Sequence, residues 1–568
     1  MRTPERDTSR RSAPARFRVL RGRGTPSVEP ATAHGGLAAA PRAWSAHVAR
    51  AGWPIVLPLA AVYLLVAPPS GDLAAATYRS QLFAAEGFLI WDNHWYGGHY
   101  LPAYSLLSPA LGALLGPRVL LALCGVLVAL LFYVLARRWF PPAAVRVGAV
   151  WMGVAVAVGL LAGQVAYELG LAIGMAGLAA WQLNRVTAAL ILAVICSVSS
   201  PVAGAFLALA GVTVALVAAT GRRRAQGLAL AACALAPVGI MALLFPEGGA
   251  EPFPTANALY AVALLAVIVA VIPREHRALR IGAALYAVGC VLAYAIATPL
   301  GGNALRLGTL FAGPLVVAAL WEHRRRLLIL LAPFLVVVLV GEASGDLVAA
   351  TGDAPSSAQS YYTPLVKRLL GPRPWSTDTP MRIEIPFTRG HWEAAWVAPY
   401  VSLARGWERQ LDVRFNPIFY GGTIDAGTYR GWLVENAVSF VALPAAPLDE
   451  SALAEANLIR RGLPYLREVW HSQDWRLFAV RDPGPLVSGG ARMTALGASF
   501  FSLSLPRAGS YTVRVRYTPS WELGSGAGCV TQAPGDWTRV SAPTAEHVTV
   551  SSAFTLEQVG GEDPSCRR

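Results

Sequence analysis

The sequence predicts a polytopic α-helical membrane protein of about eleven spans, followed by an extracytoplasmic C-terminal part made of an α/β domain and a β-sandwich. Three observations carry this. Of 568 residues, 55% are hydrophobic and only 14% charged, and the mean hydropathy of +0.47 is far above that of a soluble globular chain. Apolar runs of spanning length recur up to about residue 343 and then stop. Beyond that point, short alternating runs lie between Gly and Pro turns, which is the period of strands.

In chain order, "MRTPERDTSRRSAPARFRVLRGRGTPSVEP" is rich in Arg, Pro and Ser without apolar periodicity, so residues 1–50 are expected to form a disordered, basic cytoplasmic arm. The first apolar run begins only near Gly52, and "VYLLVAPPSGD" lacks a small-residue cleavage pattern, so it reads as a span and not as a signal peptide. The membrane body covers 51–343, with spans expected near 52–69, 105–136, 143–163, 165–182, 186–199, 202–219, 225–245, 256–272, 279–299, 304–320 and 326–343. The second run is too long for one straight span and holds Pro109 and Pro117, which suggests a short re-entrant piece followed by a helix. The fifth and sixth are parted only by "SSP" and read as two helices or one broken one.

Charge orients the body. With the arm inside, Arg137, Arg138 and Arg146, then Arg185, then Arg222 to Arg224, then Arg274, Arg277 and Arg280, then Arg324 to Arg326 all fall in cytoplasmic loops. The opposite loops carry Asp72, Glu86, Asp92, Glu168, Glu247, Glu251, Glu342 and Asp346 and almost no arginine, so an odd number of spans leaves the tail outside the cytoplasmic membrane. The net charge of +14 is therefore a topology signal, and no nucleic acid partner is expected.

The tail divides by composition. Over 344–482, "RIEIPF", "VSFVAL" and "WRLFAV" alternate with helical stretches such as "YRGWLVENA" and "DESALAEANLIRRG", an α/β pattern; over 483–568, "ASFFSLSLPRAGSYTVRVRYTPSW" and "EHVTVSSAFTL" read as a β-sandwich. Cys124, Cys196, Cys233 and Cys290 lie inside apolar runs as small core residues, whereas Cys529 and Cys566 lie in the tail, where an oxidising exterior leaves pairing and non-pairing both open.

The first outer loop, residues 70–104, is the most informative stretch. "DLAAATYRSQLFAAEG" is amphipathic at helical spacing and reads as a helix lying in the interface, with Asp72 as its N-cap or as a functional acid. It is followed by "IWDNHWYGGHYLPAY". The rings of Trp91, Trp95 and Tyr96 suit a membrane aromatic belt, but His94, His99 and the paired Gly97 and Gly98 do not. Asp92, Asn93, His94, Trp95, Tyr96 and His99 instead combine ring faces with polar edges, as a sugar-binding surface does.

An acidic residue just after the first span, an interfacial helix, and "W-x-x-x-W-Y-G-G-H" leading into "LPAYSLLSPALGALLG" together resemble the GT-C superfamily of polytopic glycosyltransferases. Within it they resemble the actinobacterial group with a 6-pyruvoyl-tetrahydropterin synthase-related membrane domain, a likeness that "HWEAAWVAPYVSLARGWERQLDVRFNPIFY" extends into the tail. The resemblance implies a GT-C-like fold and a sugar transferred from a polyprenyl-phosphate donor to an envelope glycan, lipid or protein acceptor at the outer face. It maps the first-loop acid onto Asp72 as general base, with Glu168 in "GQVAYELG" as a second-loop carboxylate or an ordinary loop acid. A departing lipid phosphate needs a cation. Arg306 in "GGNALRLGTLFAGP" is the first candidate, also readable as an arginine snorkelling to headgroups, and Arg79 on the loop helix is the second.

His94 and His99 are five apart, which is not a zinc spacing, so no cofactor is expected; a metal would be Mg or Mn on Asp72 with Asp92 or Glu168. In the tail, His391, Trp392, Glu393, Trp396, Arg405, Trp407 and Arg409 suit either an acceptor glycan or an interface with the body. No nucleotide-binding, kinase or hydrolase signature stands out. The alternatives are a transporter or flippase of a lipid-linked precursor, which calls for internal repeats and mid-membrane charges that the sequence does not display, and a catalytically inactive GT-C-like scaffold.

Overall fold

The computed structural model describes residues 51–351, 355–371, 380–422 and 424–553. The arm expected over 1–50 falls outside that set, and so does Cys566, the partner considered for Cys529.

A helix lies over each expected apolar run. In order they are α1 Val56–Val66, α2 Gly71–Glu86, α3 Ser108–Leu115, α4 Pro117–Ala136, α5 Pro142–Ala162, α6 Val165–Gln182, α7 Val186–Ser199, α8 Pro201–Val217, α9 Gly221–Leu244, α10 Thr255–Val271, α11 Arg277–Ala295, α12 Arg306–Leu320 and α13 Arg325–Thr351. Among the described residues, five helices are long and apolar enough to cross a membrane, and six if the bent pair of α1 and α2 counts as one; α7, α8 and α10 are shorter apolar helices. The chain thus has a helical body with helices long and apolar enough for a membrane, and a sheet-containing tail.

Breaks between helices follow local chemistry. The long second run breaks at Gly116 (φ +82) and Pro117, giving α3 and α4. Ser200 separates α7 from α8, accepting the Ala203 N–H as N-cap just ahead of Pro201. α1 ends at Ala67 in the left-handed region, and Pro68 and Pro69 then carry the chain through a 74° bend into α2. The N-cap position of α2 is Ser70, not Asp72: Ser70 is extended (φ −147, ψ 145), its hydroxyl donates to Ala162 O at 2.7 Å, and Asp72 stands in the first helical turn. Nor does α2 merely float in the interface, since Leu73, Ala74, Tyr78, Arg79 and Leu82 are all buried.

The tail begins with α14 Gln359–Leu370 and builds a five-stranded sheet from β3 Arg382–Glu384, β4 Ser402–Leu403, β5 Val438–Pro444, β6 Leu466–His471 and β7 Trp475–Val480, ordered β4-β3-β5-β7-β6. β4, β3 and β5 are parallel, and β7 and β6 add antiparallel. Its helices are α15 Glu393–Trp396, α16 Arg409–Phe415, α17 Ala426–Glu435 and α18 Leu453–Arg460. Residues 492–552 then form two antiparallel sheets, one of three strands and one of four, around Phe501, Leu503, Val513, Val540 and Val550.

The first outer loop joins these layers. Its short hairpin, β1 Trp91–Asp92 with β2 His99–Tyr100, puts Trp91 and Tyr100 into the core of the last two sheets, while Trp95 and Tyr96 enter the core shared by the helical body and the five-stranded sheet.

Candidate active site

Asp72 and Arg306 come from helix starts more than two hundred residues apart in sequence, yet meet: Arg306 Nη2 is 3.7 Å from Asp72 Oδ2. Position in each helix helps explain this. Asp72 lies in the first turn of α2, where the positive helix end favours a carboxylate. Arg306 opens α12 straight after the turn Gly301–Leu305, which is held by the Tyr286 hydroxyl donating to Ala304 O at 2.6 Å. Both side chains keep some exposure, 20% and 16%.

Glu168, in the first turn of α6, is buried and shares a cavity of about 30 Å³ with Arg306, Tyr167, Gln164 and Thr309. The Arg306 guanidinium lies 5.5 Å from the centre of the Tyr167 ring. Below it, Leu307, Gly308 and Phe311 of α12 line a second, almost wholly apolar cavity of about 400 Å³. That cavity is walled by α4, α6, α8 and α11 and extends to Trp139 and Trp181 at the far ends of α4 and α6.

Arg79 is placed differently from Arg306. It is 3% exposed, ion-paired with Glu408 of the tail, and sandwiched between the rings of Tyr104 (4.1 Å) and Trp95 (5.3 Å). Tyr104, beneath the Arg79 guanidinium, is within electrostatic reach of both ion pairs. Its hydroxyl is pushed up to about 12 by burial first, with Asp72 and Glu408 adding to the shift and Arg79 and Arg306 opposing it, so it stays a proton donor.

The 92–99 segment is an interface rather than an open wall. Asp92, Asn93, Trp95, Tyr96 and His99 are each at most 1% exposed. Asn93 donates from Nδ2 to Gly497 O (3.0 Å) and Phe500 O (3.3 Å), while its N–H reaches Ala498 O (2.8 Å). Its side-chain oxygen accepts from Trp91 Nε1 at 2.8 Å. The Tyr96 hydroxyl donates to Glu408 O (2.8 Å), and Arg516 N–H reaches Gly97 O (2.8 Å). Asp92 accepts from the Tyr78 hydroxyl at 2.7 Å and lies 3.0 Å from His94 Nδ1. Burial works against charge on both, yet each partner wins: Asp92 is held below its usual range and His94 above it. His99, buried between Trp95 and Tyr96, is pushed down by burial and stays neutral. The expected sugar-binding wall is therefore buried, covered by the tail at Asn93 and Tyr96 and by Tyr78 of α2 at Asp92 and Trp95, and only His94 keeps partial exposure, at 12%.

The tail group also resolves. Arg405 is enclosed by Asp412 (2.6 Å), Glu455 (3.4 Å) and Glu384 (3.8 Å) and by the Phe387 and Phe419 rings, all buried. Glu393 accepts from the Thr388 hydroxyl at 2.6 Å. Arg409, 31% exposed, pairs with Asp449 at 2.8 Å and faces the body. Sequence reasoning gave no site role to Glu251, an acid in the loop between α9 and α10 that feels Arg306, Arg409 and Asp72 together. A signal was present in the paired glycines of "EGGAEPFP" and "PLGGN", the loops that pack on each other there. No group of three metal-binding side chains occurs among the described residues.

No family model matches this chain, and no curated protein does. Solved structures of an Archaeoglobus fulgidus oligosaccharyltransferase are similar at low identity. The complex with Zn and sulfate shares 13% identity over 69% of this chain and 68% of its own, with a TM-score of 0.40. The same organism's oligosaccharyltransferase AglB in complex with an inhibitory peptide and a dolichol-phosphate gives 11%, 68%, 69% and 0.39. The form tethered to an acceptor peptide containing the NVT sequon gives 12%, 69%, 68% and 0.41. At such scores the likeness assigns no residue a role here.

Proposed function

We propose that this protein is a GT-C-type membrane glycosyltransferase that moves a sugar from a polyprenyl-phosphate donor to a cell-envelope acceptor at the outer face of the cytoplasmic membrane. The observation that carries the reading is a carboxylate paired with an arginine at the head of a long apolar cavity: Asp72 and Arg306 at 3.7 Å, with Leu307 and Gly308 opening onto the cavity of about 400 Å³. An isoprenoid chain suits such walls, and its phosphate would then lie at Arg306.

The chemistry follows from the donor. The acceptor O–H gives its proton to Asp72 as its oxygen bonds to the anomeric carbon, and the bond from that carbon to the phosphate oxygen breaks. The polyprenyl phosphate leaves with a second negative charge, which Arg306 stabilises. Glu168 orients the Arg306 guanidinium from the small cavity they share. Arg79 and the 92–99 segment support the site from behind through Tyr104 and the tail, without touching substrate.

The test is transfer from a panel of radiolabelled polyprenyl-phosphate sugars to envelope extract by purified wild type and Asp72→Asn of matched folding. Loss of the base should lower the rate by about 10²–10⁴-fold. Undiminished transfer by the variant would remove Asp72 from the chemistry, and a wild type inert towards every donor would favour the transporter or scaffold readings.

A further inference from the structure

The loop between α9 and α10, residues 245–254, is wedged between two arginine-bearing elements. On one side it rests on the tail helix α16. A Cβ on Gly248 would stand 2.9 Å from the Arg414 guanidinium, one on Gly249 would overlap the Gln410 carbonyl, and Arg414 donates to Glu247 O. On the other side it grips the turn that leads into Arg306. Glu251 N–H donates to Thr298 O at 3.0 Å, a Cβ on Gly301 would lie 2.9 Å from Glu251 Cβ, and one on Gly302 would lie 2.8 Å from Pro252 O. Residue 251 thus stands between α16, whose first residue is Arg409, and the turn whose next residue is Arg306.

Its carboxyl meets charge from each neighbouring element: Arg306 from α12, Arg409 from α16 and Asp72 from α2. Asp72 already pairs with Arg306, and Asp449, with His391 at 3.4 Å, already pairs with Arg409. Glu251 is the acid carried by the loop that packs between the two arginine-bearing elements, within electrostatic reach of both cations.

We propose that Glu251 acts as an internal counter-ion in the seat where Arg306 and Arg409 receive an anionic lipid phosphodiester, and that it gives up its negative charge when that ligand binds. This rests on the lipid-phosphate reading above and adds to it a residue of the tail, Arg409, and a proton. The carboxyl is poised for the role. Burial pushes it up to about 7, with Asp72 adding to the shift and Arg306 and Arg409 opposing it. A second anion placed between the arginines favours the neutral acid further, so ligand and proton bind together.

The experiment uses the purified full-length protein in detergent and farnesyl methyl phosphate, a phosphodiester whose single charge is constant from about pH 5.5 to about pH 8.5. Calorimetry in buffers of different ionisation enthalpy gives affinity and proton uptake together. Wild type should bind with constant affinity below about pH 7, lose affinity towards tenfold per unit above it, and take up close to one proton per ligand there. Glu251→Gln should bind tightly at every pH with no proton uptake. Arg409→Gln added to it should weaken binding by about tenfold or more. Binding by wild type without pH dependence or proton uptake would overturn the role of Glu251 and leave the lipid-phosphate reading standing, and this result needs no variant to fold. No binding by wild type or Glu251→Gln at any pH would overturn both. Unchanged affinity on adding Arg409→Gln would overturn the two-arginine seat.

Discussion

At the scale of single residues, the position of Arg306 depends on a glycine five residues before it. Gly301 has φ +35, and a Cβ there would overlap the carbonyl oxygen of Glu251. The clash is backbone against backbone, so neither side can swing away, and the turn 298–305 must shift with Arg306 at its end. Gly301→Ala is expected to weaken binding of a lipid phosphodiester by about tenfold or more and to lower transfer with it, since a displacement near 1 Å can cost about 10²-fold in rate. Gly239→Ala is the control: nothing lies within 4 Å of the added methyl, in mid-helix, so binding should not change. Equal affinity for both variants would show that the turn does not position Arg306.

At the scale of elements, helices were legible in the sequence and the hairpin at 91–100 was not, for one physical reason. A run of apolar residues long enough to cross a bilayer is a local property, and Gly116, Pro117 and Ser200 end their helices by local rules, so helices appear where the runs predict them. Whether a Trp–His–Gly segment faces sugar or a second domain depends on what folds over it. Asn93 bonds to residues 404 and 407 positions away, and Arg79 to a glutamate 329 away. The pairing of Asp72 with Arg306 was likewise out of reach of spacing arguments, although each residue could be singled out as acid or cation near an outer helix end. The two readings of the hairpin separate experimentally. Asn93→Ala removes its bonds to Gly497 and Phe500 and strands the buried Trp91 Nε1, at roughly 1–3 kcal/mol per orphaned group. It should lower the melting temperature and speed proteolysis at the junction of body and tail, while leaving the donor KM unchanged at temperatures where the fold persists. A raised donor KM at unchanged melting temperature would restore the sugar-binding role.

At the scale of the whole molecule, the buried acids set how stability varies with pH. Burial pushes Glu251 up to about 7 and Glu455 up to about 7, and it holds Glu384, Glu247 and Glu393 above their usual range as well. Glu384 is fully enclosed, neither of its oxygens has a hydrogen-bond partner, and its nearest cation, Arg405, is shared with Asp412 and Glu455. In the unfolded chain these groups release their protons near the ordinary glutamate value of about 4.3. Between there and about pH 7 the folded protein therefore binds more protons than the unfolded one, and its stability falls as pH rises, by up to about 1.4 kcal/mol per unit for each such group. Asp92 and Asp449, held below their usual range, are charged in both states across this window and contribute no slope there. His94, raised, adds to the fall above about pH 6.5, and His99, lowered, opposes it below about pH 6.5; five raised glutamates against one lowered histidine leave the glutamates to decide the sign. The melting temperature of the full chain in detergent should drop from about pH 5 to about pH 7.5, and Glu384→Gln, which removes the proton without changing the side-chain shape, should make that drop shallower. A melting temperature that is flat or rises over the range would mean that the acids around Arg405 are charged in the fold and that the arginine alone balances them.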